Sequence, residues 1–190
     1  MRLFVAVEID PDVQAAACRV IEDLQRRTQQ SAPHARVTWV KPEALHLTVR
    51  FIGQAAPDLC QTILTTLARS LPVSPFELTI EGTGTFPPRR PPRVIWAGIA
   101  AGLAQLHAVE REVSSRLGSL IPAGDDRDYH PHLTLGRVKN PAGLRPAVLL
   151  KGLEQARFGR VRVGAVTLFE SRLSPAGPTY VALGRTPLMP

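Results

Sequence analysis

Two copies of one four-residue pattern place proton-transferring side chains at matching positions. The first copy is His46-Leu47-Thr48-Val49 and the second is His132-Leu133-Thr134-Leu135. Neighbouring side chains of a strand point to opposite faces, so each histidine shares a face with its threonine while the aliphatic residues face a core. An imidazole gains or loses its proton near neutral pH, because its ordinary pKa is about 6.5. Two such strands facing one cleft predict acid–base catalysis that requires no metal ion.

Either copy alone is explained equally well as an ordinary core strand that carries a histidine. The repetition favours a catalytic origin, since the chain has only 5 histidines. We therefore predict that His46 and His132 are the catalytic acid and base. Thr48 and Thr134 would donate hydrogen bonds to oxygens on which charge develops. The residues themselves leave open which histidine is the acid.

Arginines near the two motifs are candidates for binding phosphate. Arg50 has the same strand parity as His46, which predicts a guanidinium on the same face. Arg137 has the opposite parity to His132 in an unbroken strand, so its role in substrate binding requires a bulge and is ranked lower. A solvent-facing strand charge is the alternative for both. The proline-rich segment 82–93 carries three more arginines, which form either a phosphate-contacting rim or a solvated loop; these are Arg89, Arg90 and Arg93.

The composition fits one domain, or two small lobes packed together, in a chain of 190 residues that is 44% hydrophobic. The formal net charge of +7 favours an anionic partner, nucleic acid above all. Aromatic residues make up only 5%, which argues against an RNA-binding module that works by base stacking alone. No apolar run is long enough for a membrane span. Cys18 and Cys60 are expected to be reduced core residues, and we expect a cytoplasmic monomer.

A strand, helix, motif strand, helix, strand order occurs twice. The predicted segments are 3–9, 11–30, 45–52, 57–71 and 76–82, then 94–99, 102–117, 132–138, 141–153 and 158–171. This order predicts an α+β fold in which residues 1–190 form a single bilobal domain. The pseudo-repeated lobes would span about residues 1–86 and 93–175, with terminal strands able to cross over. Each lobe would have an antiparallel sheet and outer helices, and the motifs would face one cleft.

The chain resembles the two-histidine phosphoesterase superfamily, and more closely the RNA 2′,3′-cyclic phosphodiesterases once named 2′-5′ RNA ligases. The resemblance is carried by both motifs and by blocks that extend along nearly the whole chain. These blocks are Arg2-Leu3-Phe4-Val5-Ala6, residues 42–53, Phe86-Pro87, Trp96-Ala97-Gly98, residues 131–137, and Leu168-Phe169-Glu170-Ser171 with Tyr180. One departure is His130, which stands where many relatives have arginine, and its role is left open between phosphate binding and packing.

The resemblance implies a bilobal α+β fold and hydrolysis of RNA 2′,3′-cyclic phosphodiester ends to 2′-phosphomonoesters, without a cofactor or metal. It implies that His46 is the proton donor to the 3′ oxygen and that His132 is the proton acceptor from water. The substrates would be RNA with a cyclic phosphate end, such as tRNA fragments or nucleotides. The alternatives are reversible 2′-5′ RNA ligation, hydrolysis of a small cyclic nucleotide, and an RNA-binding module without catalysis.

Overall fold

A mixed α+β fold is seen in the computed structural model, which describes residues 1–88, 91–121, 129–174 and 177–189. The strands are β1 (Arg2–Glu8), β2 (Arg36–Trp39), β3 (His46–Gln54), β4 (Leu71–Pro72), β5 (Phe76–Phe86), β6 (Val94–Ala101), β7 (Leu133–Asn140), β8 (Arg157–Val163), β9 (Ala165–Ser174) and β10 (Gly177–Met189). The helices are α1 (Pro11–Ser31), α2 (Pro57–Leu67), α3 (Leu103–Leu117) and α4 (Pro146–Leu149), and a 3-10 turn spans Pro42–Ala44.

The two long helices follow from apolar residues at helical spacing. α1 begins with Pro11, whose fixed φ suits the first helical position. Buried residues then recur every three or four positions on one face of α1 and of α3, as an amphipathic helix requires; they include Val13, Ala17, Ile21 and Leu24 in α1, and Leu106, Val109, Val113 and Leu117 in α3.

The described strands join in one sheet in the order β4-β10-β9-β1-β3-β7-β6-β5-β8, with β2 against β7. The motif strands β3 and β7 lie at its centre and share a single registered antiparallel pair, Leu47 with Leu133. This junction divides the strands into a first set (β1, β3, β4, β9 and β10) and a second set (β2, β5, β6, β7 and β8). The sequence predicted one sheet for each half of the chain, whereas the structure links the two sets edge to edge.

Neither set is built from one half of the chain. β5 precedes the second motif by a long stretch of sequence but pairs with β6 and β8, in the second set. β9 and β10 close the chain but pair in the first set, with β9 against β1. The helices cross in the same way, because α1 packs on β7 and β8 while α3 packs on β3 and β4.

The fourth predicted helix is much shorter in the structure. A helix was predicted over residues 141–153, but only Pro146–Leu149 is helical. Gly143 has a φ of +75°, outside the helical region, and Pro146 lacks the N–H that an earlier turn would need. Over residues 158–173 the sequence predicts either one long strand or two broken ones, with Gly164 as a candidate break, and the structure has two strands, β8 and β9, divided at Gly164. Among the described residues, no helix is long and apolar enough to cross a membrane.

Candidate active site

The predicted alternation of the motif strands is confirmed by their burial. Leu47 and Val49 of β3 are buried, as are Leu133 and Leu135 of β7. The intervening His46, Thr48 and Thr134 are half-buried, and His132 lies one residue before β7 and is half-buried too. The aliphatic residues therefore anchor each motif in the core, and the polar residues share the opposite face.

The single pair between the motif strands sets the relative positions of the four polar side chains. The strands are antiparallel through Leu47 and Leu133. This register places His46 opposite Thr134 and Thr48 opposite His132. The two histidines are therefore diagonal neighbours across the strand pair, and so are the two threonines. Diagonal neighbours on one face of an antiparallel pair lie about 7–8 Å apart, which leaves room for a phosphate between two imidazoles.

Each imidazole is held by the same backbone contact. The Nδ1 of His46 lies 2.8 Å from the carbonyl oxygen of Ala44, and the Nδ1 of His132 lies 2.7 Å from that of His130. A carbonyl oxygen only accepts hydrogen bonds, so Nδ1 carries the proton in both rings. In the neutral form Nε2 is then left as a base, and in the charged form it is left as an acid. The two histidines are thus interchangeable in chemistry, and their surroundings must decide their roles.

The surroundings lower the pKa of both imidazoles. Burial is the largest cause in each case, because it disfavours the charged ring. The backbone hydrogen bond opposes this effect by favouring the protonated ring. Arg137 lowers the pKa of both rings, and the charge of His132 further lowers that of His46. The free site therefore favours neutral imidazoles, and an anion bound between them would favour protonation.

Arg137 reaches this face because β7 contains the bulge that its parity required. Thr134 and Gly136 pair with two adjacent residues of β6, so Leu135 is an extra residue on β7. Leu135 and Gly136 are consecutively buried, which breaks the alternation, and the following Arg137 is exposed. Its guanidinium lies close enough to add to the effect of burial in lowering the pKa of both motif histidines. At Tyr180, burial raises the pKa of the phenol and the charge of Arg137 opposes that rise.

Arg50 is turned the other way by a corresponding bulge in β3. Thr48 and Arg50 pair with adjacent residues of β1, so Val49 is the extra residue. The guanidinium Nη1 of Arg50 lies 3.7 Å from the carboxylate of Glu110 on α3. Strict alternation predicted that Arg50 would share the face of His46, and the structure instead places it against a helix, because a bulge reverses the parity of the residues after it.

Aromatic side chains surround His46, and they confirm the direction of Arg50. The ring of Phe4 lies 4.8 Å from that of His46 and 6.0 Å from that of Phe51. Phe51 is therefore on the site's face, and the preceding Arg50 is on the other. Tyr180 meets His46 edge-on at 4.9 Å. Phe4 comes from β1, which pairs with β3, whereas Tyr180 comes from β10, which is separated from β3 in the sheet by β9 and β1.

His132 has its own aromatic neighbours in the second set. The ring of Phe86 lies 5.1 Å from that of His132, edge to face, and 5.1 Å from that of Trp96. His130 is exposed, with its ring 6.4 Å from Phe86. Its carbonyl orients His132, and its charge adds to the effect of burial in lowering the pKa of that ring. Arg93 is exposed, while the predicted rim residues Arg89 and Arg90 lie outside the described residues.

Tyr129 links the two motifs through a contact that the sequence pattern did not predict. Its hydroxyl donates a 3.0 Å hydrogen bond to the carbonyl of Thr48, while its backbone leads directly to His130 and His132. Burial is the main cause that raises the pKa of its phenol, and Glu110 adds to it. The phenol is therefore a permanent donor at neutral pH. A tyrosine two residues before the second motif's proline was visible in the sequence, but its partner in the first motif was not.

Across residues 1–88, 91–121, 129–174 and 177–189, no group of three or more His, Cys, Asp or Glu side chains is arranged to hold a metal ion. The donors that the site does bring together are two imidazoles, two hydroxyls and a guanidinium. Such a set is suited to binding an oxyanion and moving protons around it.

Known proteins share this chain's sequence pattern. The model of the 2′-5′ RNA ligase superfamily matches residues 10–174. A relative from Methanothermobacter thermautotrophicus, named RNA 2′,3′-cyclic phosphodiesterase, is 33% identical over 184 residues, which cover 95% of this chain and 95% of the relative.

Solved structures share the fold. The crystal structure of TT0787 from Thermus thermophilus is 31% identical, covers 99% of this chain and 98% of that chain, and superposes with a TM-score of 0.72. The Escherichia coli LigT structure in complex with 3′-AMP is 22% identical, covers 100% of this chain and 98% of that chain, and has a TM-score of 0.71, which shows the fold alone. Motifs, fold and family match agree, and the chain belongs to the 2′-5′ RNA ligase superfamily.

Proposed function

We propose that this protein hydrolyses the 2′,3′-cyclic phosphodiester at the end of an RNA to a 2′-phosphomonoester. The observation that carries the proposal is the matched pair of imidazoles, each with Nδ1 bonded to a backbone carbonyl and Nε2 left for chemistry. The activity named for the 33% identical archaeal relative supports it, because that relative aligns over 95% of this chain.

The reaction requires one proton to leave the nucleophile and one to reach the leaving group. Water attacks phosphorus while His132 accepts its proton through Nε2. The bond from phosphorus to the 3′ oxygen breaks, and His46 donates its Nε2 proton to that oxygen. The products are a 2′-phosphate and a 3′-hydroxyl, and the two histidines end with exchanged protonation states. General acid and base catalysis of this kind contributes about 10²–10⁴-fold for each group.

Negative charge grows on the non-bridging oxygens of phosphorus during the attack. Thr48 and Thr134 lie on the same face as the histidines, so their hydroxyls would donate to these oxygens. We assign Arg137 as the principal phosphate-binding arginine, because its charge acts on both imidazoles. Arg50, which pairs with Glu110, would act on the site only through β3.

We further propose that the two strand sets act as two lobes with the substrate in a cleft at their junction. The single registered pair between β3 and β7 supports this arrangement, because it leaves the remainder of the two motif strands unpaired with each other. A metal-independent mechanism, a monomeric state and a cytoplasmic location are parts of the same proposal. The free thiols of Cys18 and Cys60 are in keeping with a reducing compartment.

The test uses a short RNA that ends in a 2′,3′-cyclic phosphate, incubated with the protein in EDTA and followed by phosphorus NMR. We expect conversion to a 2′-phosphate, and loss of several orders of magnitude in rate for His46→Ala and for His132→Ala. His34→Ala is the matched control, because His34 is exposed in the turn between α1 and β2.

Each other outcome would contradict a defined part of the proposal. Turnover that survives His46→Ala would remove His46 as the proton donor. Turnover abolished by EDTA and restored by a divalent cation would point to metal catalysis. An RNA that binds with salt-sensitive affinity while its cyclic end persists would favour a binding module. Joining of the cyclic end to a 5′-hydroxyl RNA would show ligation, in which that hydroxyl replaces water in the same step.

A further inference from the structure

A cavity of about 150 Å³ opens beside His46 on the side of the first strand set. Its walls are formed by residues of β1, β9, β10 and the start of α1, together with the segment that leads into β3, and none is on β7. The mechanism described above uses only the His46 ring from this cavity. The remaining lining is therefore available for a part of the substrate other than the phosphate.

The geometry of phosphoryl transfer indicates which part this is. In an in-line displacement the entering and leaving oxygens lie on opposite sides of phosphorus. His132 faces the water, so His46 and the leaving 3′ oxygen are on the ribose side. The base of the terminal nucleotide is attached to that ribose, and the cavity that His46 lines is on the same side of phosphorus.

The walls of the cavity suit a planar base. Phe4 is only 2% exposed, stacked on Phe169 at 5.4 Å and met edge-on by Tyr180 at 5.0 Å. The half-buried rings of Phe169 and Tyr180 are therefore the aromatic surfaces that a base can contact. Aromatic faces of this kind bind any base by stacking and do not distinguish one from another. Discrimination must come from polar groups at the cavity.

The charged polar groups at the cavity are hydrogen-bond acceptors. Glu8 is the direct cross-strand partner of His46, and Glu43 lies three residues before His46. Glu8 accepts a 2.9 Å hydrogen bond from the hydroxyl of Thr167, and its carboxylate lies 3.8 Å from Arg185. Two carboxylates beside a phosphate site weaken attraction for an anion, in a chain whose net charge is +7. Their position is explained if they contact a part of the substrate that donates hydrogen bonds.

We propose that this cavity binds the terminal base and selects guanine over uracil through Glu8 and Glu43. Guanine presents adjacent N–H donors at N1 and N2, which match the two oxygens of a carboxylate. Uracil presents one N–H between two carbonyls, whose oxygens would face the carboxylate unfavourably. A site built to hydrogen-bond a substrate rejects an analogue that leaves its polar groups unpaired. The inference rests on the proposed function, because it takes the orientation of the ribose from the role of His46.

The experiment compares guanosine and uridine 2′,3′-cyclic monophosphates as substrates. We expect kcat/KM to favour guanosine by about tenfold, since hydrogen bonds to charged groups are worth about that much at a partly exposed site. Glu8→Gln and Glu43→Gln should each narrow the preference, and uridine turnover should rise, because the amide adds a donor for the uracil carbonyls. Glu22→Gln, on the exposed face of α1, is the matched control and should leave the preference unchanged.

Equal turnover of the two nucleotides by the unaltered protein would overturn the proposal, as would an equal narrowing in the Glu22→Gln control. If neither nucleotide is hydrolysed, the proposed function fails, and calorimetric binding of the 2′-monophosphates of guanosine and uridine then decides the inference by itself. Tighter binding of the guanosine product that is lost in Glu8→Gln would support the base site. Equal affinities would refute it.

Discussion

Replacing Arg137 by glutamine tests its assignment as the phosphate-binding arginine. Strand parity alone ranked Arg50 above Arg137, whereas the structure favours Arg137. Arg137 is exposed and its charge, together with burial of the rings, lowers the pKa of both motif histidines. Glutamine keeps much of the side chain's length and polarity but removes the charge. We expect little loss of stability, because surface substitutions away from buried networks change the free energy of unfolding by about 0.5 kcal/mol or less.

The loss of activity can be worked from what the guanidinium supplies. Its planar fork can donate two parallel hydrogen bonds to phosphate oxygens, and each bond to a charged group is worth about 1.5–3 kcal/mol. Glutamine keeps at most one neutral donor, so the transition state should lose about 3–4 kcal/mol. At about 1.4 kcal/mol for each factor of ten, kcat/KM should fall about 10²–10³-fold.

The assay is steady-state hydrolysis of a 2′,3′-cyclic phosphate, with Arg50→Gln as the paired variant. Arg50 lies 3.7 Å from Glu110, whose side chain is only 15% exposed. Removing Arg50 leaves that carboxylate without this partner, so the expected cost is about 1–3 kcal/mol in the free energy of unfolding. Activity at a temperature where both variants are folded should stay within a few-fold of the unaltered protein.

A second readout tests the position of Arg137 without catalysis. Its positive charge adds to burial in lowering the pKa of His46 and of His132, so its removal should raise both. NMR titration of the two imidazoles measures this directly, and Arg50→Gln should leave both values nearly in place. Activity of Arg137→Gln within about threefold of normal, or unchanged imidazole titrations, would refute the assignment of Arg137 to the site.

Three further predictions follow from described contacts. Because the pKa of both His46 and His132 is below its usual value, kcat/KM should peak below about pH 6.5 and fall at higher pH as the acid loses its proton, and a maximum above about pH 7.5 would contradict this. Tyr129→Phe removes the 3.0 Å bond to the first motif, so kcat should fall about tenfold at nearly constant KM, with a change in unfolding free energy of about 1 kcal/mol measured in urea. Gly84→Ala places a Cβ 2.2 Å from the Trp96 ring, which should lower the free energy of unfolding by about 1–3 kcal/mol. Denaturant titration measures this loss, and an unchanged unfolding midpoint would contradict the prediction.

The motif strands show what local pattern can predict. The alternation of Leu47 and Leu133 with histidine and threonine placed each polar residue on the correct face, because a two-residue period follows from strand geometry alone. The long helices α1 and α3 were equally predictable from the sequence, since their buried residues repeat at helical spacing.

What the sequence left hidden depends on partners from distant parts of the chain. The bulges at Val49 and Leu135 exist only relative to β1 and β6, and they exchange the faces of Arg50 and Arg137. Counting alternate positions along one strand cannot predict either bulge. The bond from Tyr129 to the first motif joins positions 81 residues apart, and no local rule predicts it.

The exchange of strands between the two halves of the chain also sets when the site can form during synthesis. Both motifs have been translated by Leu135, but β1 still lacks its neighbour β9, and His46 lacks Tyr180 of β10. Such long-range strand pairing forms slowly, because the chain loses loop-closure entropy before the stabilising contacts between distant strands are made. The nascent chain therefore carries both histidines of the proposed acid–base pair before their surroundings are complete, and the proposed base cavity gains its last wall only when β10 has left the ribosome.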